Sequence, residues 1–249
     1  LAGSIAERAS GREVYERLRS SLQPRSDEYV VLVAAERDGN PYAVLAAIIL
    51  SQNTSDKNSI RAYLRLRERL GGVTPEKVLS IPEEELVELI RPAGLPRGKA
   101  RALREAARRL LERGGERYLA EAPPEELRRF LLSIPGVGKK TADVFLSFYR
   151  KAPVFAVDTH ALRIAKRWGL VGEKAGYDEA SRALLEFFGP ELAEEAHRLI
   201  IALGRRYCRA RSPRCRECPL RDICPYAEKL AAREQSDRDA GGDQQPAQE

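Results

Sequence analysis

Every cysteine of the 249-residue chain lies between residues 208 and 224. Cys208, Cys215, Cys218 and Cys224 follow the spacing C-x6-C-x2-C-x5-C, so four thiolates can converge on one centre with only loop backbone between them. Tetrahedral zinc is one candidate occupant, although zinc sites made of four cysteines are usually built from two C-x2-C pairs and only one occurs here. A cubane iron–sulfur cluster held by four thiolates suits the spacing about as well. Four unrelated buried thiols are the plain alternative, and their complete clustering argues against it. Eight arginines and one acid, Glu217, fall between Arg198 and Arg221. A metal centre with four thiolate ligands is anionic, so some of these arginines would neutralise it and others could grip phosphates.

A second group with chemical potential is "LLSIPGVGKKTADVFLSFY", residues 131–149. Pro135, Gly136 and Gly138 predict a tight turn between two short helices. Glycine there permits positive φ and close approach to a phosphate, and the amides of the next helix N-terminus then face that anion. Ile134, Val137, Ala142 and Val144 at packing positions complete a helix-hairpin-helix, which grips duplex backbone without reading sequence. Lys139 reads as a phosphate contact. Lys140 is singled out by "VFAVDTHALRIAKR", where Asp158 follows 18 residues later. By position Asp158 is a helix N-cap. A helix running out from Lys140 and a return segment ending at Asp158 would bring amine and carboxylate together.

The elements that position these groups are helical nearly throughout, and the expected fold class is all-α. "SGREVYERLRSSL" opens on a serine N-cap and places Val14, Leu18 and Leu22 on one face. "PYAVLAAIILSQ" is apolar on all sides and reads as a central buried helix. The remaining segments are short, with proline near the start or glycine at the end. Only "YVVLVAAE" and "APVFAV" look strand-like, and they are too isolated to build a sheet. No apolar run approaches the roughly 20 residues of a membrane span. "LAGSIAERAS" lacks the basic and long apolar regions of a signal peptide, so a cytoplasmic location, nucleoid-associated in a prokaryote, is expected. Reduced thiols in that compartment favour metal over disulfides. The net charge is +6, but residues from Ala227 onward carry three basic and six acidic side chains, which leaves the preceding chain at +9. Such a body suits a polyanion.

"LSIPGVGKKTADV", then "VDTH", then the four-cysteine spacing together resemble the endonuclease III family of DNA glycosylases, from about Tyr42 to Tyr226. The resemblance implies that Lys140 is the nucleophile and Asp158 its partner, and that Cys208, Cys215, Cys218 and Cys224 hold a [4Fe–4S] cluster. It implies a rigid cysteine loop whose Arg211 and Arg214 meet DNA phosphates, with Gly136, Gly138 and Lys139 on the backbone through the hairpin. "ILSQNTSDKN" resembles the segment whose residue, here Gln52, fills the hole left by an extruded nucleotide. "AGLPRGKA" resembles the loop whose wedge is here Leu95, with Lys99 on the DNA backbone. His160 would orient the Asp158 loop or contact DNA, and is not expected to bind metal. The implied architecture is two helical lobes flanking a DNA groove. Residues 38–151 form a six-helix lobe, residues 1–37 with 152–226 form the cluster lobe, and 227–249 form a disordered polar tail. The implied activity is a bifunctional glycosylase and abasic-site lyase of base excision repair acting on oxidised pyrimidines. Its partner is double-stranded DNA carrying a damaged base or abasic site, with no membrane, and the protein is a monomer. Two alternatives stand beside it: a monofunctional mismatch thymine or uracil glycosylase, and a non-enzymatic structure-specific DNA-binding protein. The preferred lesion stays open.

Overall fold

Side-chain chemistry sets where the helices begin. In the computed structural model, which describes residues 3–23 and 25–241, Ser10 Oγ accepts the Glu13 amide at 3.2 Å and opens α1 (Gly11–Leu22). Glu13, three residues after the cap, sits where a capping box places its acid. Val14 and Leu18 are buried as their spacing predicts, while Leu22 is only half-buried. Among the described residues there follow α2 (Val30–Arg37), α3 (Pro41–Ser51), α4 (Asp56–Leu70), α5 (Pro75–Ser80) and α6 (Glu83–Ile90). Then come α7 (Pro96–Leu111), α8 (Glu116–Glu121), α9 (Pro124–Ser133) and α10 (Lys139–Phe148). The series ends with α11 (Thr159–Arg167), α12 (Tyr177–Phe188), α13 (Ala193–Arg206) and α14 (Pro225–Gly241). No strand occurs among the described residues, so the fold is all-α. No described helix is long and apolar enough to cross a membrane.

One strand-like stretch folds otherwise. "YVVLVAAE" is α2, because Val30 and Ala34, four residues apart, both turn into the core. "APVFAV" is irregular loop, bent at Pro153 where the Val154 amide donates to the Ala152 carbonyl at 2.8 Å, and leads to α11. Pro41 opens α3, and Asn40 Oδ1 caps it by accepting the Ala43 amide at 2.7 Å. All residues from Pro41 to Leu50 are buried, so this helix is the centre of its core. Each of its large aliphatic side chains contributes about 1.5–3 kcal/mol by burial.

The chain divides into two compact units, one of Pro24–Ala156 and one of Leu1–Gln23 joined to Val157–Glu249. The first boundary falls earlier than the expected 37/38, because α2 packs on α3 and α4. In the discontinuous unit, α1 packs on α12 and α13. Gly11 makes this approach possible, since a Cβ there would lie 1.8 Å from the Phe187 carbonyl oxygen. Trp168, the sole tryptophan, is fully buried against Phe187 and Phe188, and its carbonyl accepts the Ile5 amide at 2.8 Å.

The polar tail also departs from expectation. Residues 227–241 continue α14 as helix, and 242–249 lie outside the described residues. The Cys224 carbonyl accepts the Ala227 and Glu228 amides, so the thiol loop itself starts the helix. Arg8 then pairs with Glu228 at 2.6 Å, and Arg216 with Glu234, to hold it down.

Candidate functional site

In the Pro24–Ala156 unit, α9 and α10 form the expected hairpin, with Ile134 and Val137 buried beneath the turn. The two glycines do different work. Gly136 has φ of 86°, and a Cβ there would come within 3.2 Å of Ala102 Cβ. Gly138 is extended at φ −96°, a conformation open to any residue, and its Cβ position is free of neighbours within 4 Å. Only Gly136 is demanded by the backbone; Gly138 keeps the surface bare. No side chain caps α10, so its first amides remain available to an anion. Lys139 is exposed and Lys140 half-buried in the first turn. Among the described residues, Lys140 has no hydrogen-bond or ion-pair partner.

Gln52, at the C-terminus of α3, donates from Nε2 to the Gly136 carbonyl and to Thr141 Oγ1, both at 2.9 Å. The plugging candidate is thus tied to the hairpin, through a threonine one residue beyond Lys140. Sequence reasoning missed Thr141, whose 3% exposure no local pattern announces. Leu95 is 67% exposed and left-handed at φ 49°. That conformation costs a non-glycine residue about 1–2 kcal/mol, so an exposed leucine is held there against both solvent and backbone preference.

Lys99 requires a correction. It is 4% exposed, and its ammonium donates to the Leu50 and Ala93 carbonyls at 2.8 and 2.7 Å. Burial lowers its pKa to about 8. A side chain enclosed in this way cannot reach a DNA backbone; its partners at Leu50 and Ala93 were not legible from "PRGKA".

In the discontinuous unit, Asp158 is the N-cap of α11, its Oδ1 accepting the Ala161 amide at 2.7 Å. Its other carboxylate oxygen has no partner among the described residues. His160, in the first turn of the helix, places Nδ1 at 2.9 Å from Arg163 Nη2. A guanidinium can only donate, so in this contact Nδ1 is the acceptor. Burial also lowers the His160 pKa. Arg163 then donates to the Cys208 carbonyl from Nε at 3.0 Å and Nη2 at 2.9 Å. His160 thus meets the arginine that holds the Cys208 carbonyl, and room for its ring comes from Gly204 of α13. A Cβ at Gly204 would lie 2.3 Å from His160 Nδ1 and 2.8 Å from its Cβ and Cγ. We expect Gly204→Ala to displace the ring and cost about 1–3 kcal/mol by overpacking, read as a lower urea midpoint with unchanged slope.

The four thiols are partly buried, and they sense one another. Burial pushes Cys218 up to about 12 and raises Cys215 and Cys224, with the neighbouring thiols adding to each rise. Among the described residues, no three His, Cys, Asp or Glu side chains gather closely enough for a single metal ion. The donors around the sulfurs are those an anionic thiolate requires. Arg167 Nη1 points at Cys208 Sγ from 3.2 Å, the Leu220 amide at Cys218, and the Tyr226 and Ala227 amides at Cys224. Arg167 also donates to the Arg209 carbonyl at 2.7 Å, and its guanidinium sits 4.4 Å above the Tyr226 ring. These donors fit four anionic thiolates. The two arginines that donate to Cys208, Arg163 to its carbonyl and Arg167 to its sulfur, come from α11 rather than from the arginine-rich run. Their one sequence signal was the four-residue spacing that puts both on one helix face. Arg211 is exposed with no partner among the described residues. Arg214 is engaged by Glu217, at 2.8 Å through Nε.

Comparison with known proteins agrees with this geometry. Residues 46–190, more than half of the chain, match the family described as HhH-GPD superfamily base excision DNA repair protein. The chain is 33% identical over 214 residues to Endonuclease III of Sulfolobus acidocaldarius, covering 86% of this chain and 95% of that one. Among solved structures it is similar to a non-covalent Endonuclease III–DNA complex, with a TM-score of 0.73 and 31% identity over 89% of this chain and 96% of that one. A trapped Endonuclease III–DNA covalent intermediate, an estranged-adenine complex, superposes with a TM-score of 0.68 at 29% identity, covering 90% and 99% of the two chains.

Proposed function

The chain belongs to the endonuclease III family within the HhH-GPD superfamily of base excision DNA repair proteins, and on that premise we propose how its own residues carry out the reaction. It is a bifunctional DNA glycosylase and abasic-site lyase, acting on duplex DNA with a damaged base, an oxidised pyrimidine in our reading, or an abasic site. The observation that carries this is Lys140, a half-buried amine with no partner among the described residues, at the uncapped start of the hairpin helix. A lysine needed only for phosphate would be matched by any exposed neighbour, and Lys139 already supplies one.

The target base lies inside the stack, so the nucleotide must first be turned out at a cost of a few kcal/mol. Leu95 enters as an apolar wedge, and Gln52 leaves the hairpin to fill the gap; both offset lost stacking. Gly136, Gly138, Lys139 and the first amides of α10 hold the backbone beside the lesion. The Lys140 amine attacks C1′ as the base departs with its bonding electrons. The sugar ring opens to a Schiff base, and loss of a C2′ proton expels the 3′ phosphate and breaks the strand. Asp158, with one oxygen committed to its cap, uses the other to stabilise positive charge at C1′ and to move protons. Arg211 contacts phosphate directly, and Arg214 does so by exchanging Glu217 for it. The enzyme works as a monomer on chromosomal DNA in the cytoplasm.

Cys208, Cys215, Cys218 and Cys224 are the residues that would hold a [4Fe–4S] cluster, which when bound cross-links the loop and fixes its arginines. Their protons must leave on loading, so uptake weakens as pH falls. As isolated under air exclusion, the protein is expected to be yellow-brown with about four irons per chain, and Cys218→Ser to lose most of both. A colourless protein carrying zinc would refute the cluster.

The defining experiment is borohydride trapping on duplexes carrying thymine glycol or an abasic site. A covalent protein–DNA adduct supports the Schiff base. Base release without any adduct would leave a monofunctional glycosylase.

A further inference from the structure

Lys99 is a buried cation that the reaction above does not use. Among the described residues its two acceptors each lack another partner, for a local reason. Leu50 lies in the last turn of α3, where carbonyls have no helical amide to accept. Ala93 closes a short 3-10 turn, Arg91–Ala93, and the next two residues, Gly94 and Leu95, both have positive φ. One ammonium answers both carbonyls with two of its three donors, at the end of α3 where the helix dipole favours a cation.

Two residues beyond each acceptor stands one of the side chains assigned to strand opening: Gln52 after Leu50, Leu95 after Ala93. Lys99 grips the second segment twice, because its own amide donates to the Leu95 carbonyl at 3.1 Å. Building on the glycosylase reading, we propose that Lys99 is a positioning residue. By bridging the Leu50 and Ala93 carbonyls it sets the spacing of Gln52 and Leu95, so that plug and wedge enter the duplex as one unit.

The test compares wild type, Lys99→Met, Leu95→Ala and the double variant. Each is assayed for base release from a thymine glycol duplex and for borohydride trapping on an abasic single strand, which has no partner strand to open. Methionine keeps the apolar stem but bridges nothing. Lys99→Met is expected to slow duplex base release by about 10²-fold, as a misplaced group does, with single-strand trapping within about twofold of wild type. The double variant is expected to be no slower than the slower single variant, because residues acting as a unit are non-additive. Multiplying losses, or equal loss on both substrates, would overturn the proposal and leave Lys99 a stabilising residue only. Should Lys99→Met fail to fold, Lys99→Arg is read in its place, since its longer fork must push the two carbonyls apart. A loss confined to duplex then supports the proposal, and loss on both substrates or neither overturns it. Absence of any wild-type adduct, on duplex and single strand alike, sinks the lyase reading and this proposal with it.

Discussion

Lys140→Ala is expected to abolish the borohydride adduct on an abasic duplex and to slow base release by on the order of 10³-fold or more. Melting should stay close to wild type, because the side chain has no partner among the described residues and a surface change of that kind stays within about 0.5 kcal/mol. The missing activity is then chemical rather than structural. Lys139→Ala provides the contrast. As a phosphate contact it should weaken binding on all duplexes, lower the salt slope by about 1, and leave trapping intact at saturating enzyme. If Lys140→Ala still forms adduct and Lys139→Ala does not, the two roles are exchanged, and the nucleophile lies at the exposed first position of the helix.

Asp158 has two jobs that one substitution cannot separate but a pair can. Its Oδ1 caps α11, and loss of that bond alone costs about 1 kcal/mol. Asn accepts the same amide and is as good a cap, so Asp158→Asn should melt like wild type yet lose about 10²–10⁴-fold in base release, the usual worth of a general acid–base group. Asp158→Ala should lose the activity and the cap together. Matched rates for wild type and Asp158→Asn would leave the carboxylate with capping as its only role. The pair also bears on the thiol loop. The cap begins the helix that carries His160, Arg163 and Arg167, and these hold the Cys208 backbone and sulfur. Asp158→Ala should therefore lose bound iron more readily on standing than Asp158→Asn.

Local chemistry was legible in the sequence and enclosure was not. Gly136 announces its turn because only glycine takes its backbone angle cheaply, and Pro41, Pro75, Pro96 and Pro124 mark helix starts as their missing amides require. Asp158 was readable as a cap for the same reason. Lys99 was misread because a basic residue near a loop gives no local sign of what covers it, and the answer lay 49 residues away at Leu50. "YVVLVAAE" looked like strand because valine-rich composition favours strands, whereas packing of Val30 and Ala34 on α3 overrode that preference. Thr141 and Gly204 matter only through Gln52 and His160, partners that no spacing rule links to them.

The joining of α1 to the last third of the chain has a consequence for biosynthesis. Arg17 pairs with Asp222, 205 residues later, and Tyr15 with Glu195, 180 residues later. At a translation rate of about 5–20 residues per second, α1 waits roughly 10–40 seconds on the ribosome before Asp222 is made. Its apolar face of Val14, Tyr15 and Leu18 has no native cover until α12 and α13 are made. The Pro24–Ala156 unit, contiguous in the chain, can meanwhile mature first. Although α1 is made before the Pro24–Ala156 unit, it is thus among the last elements to settle, which makes nascent α1 the segment for which a chaperone would compete.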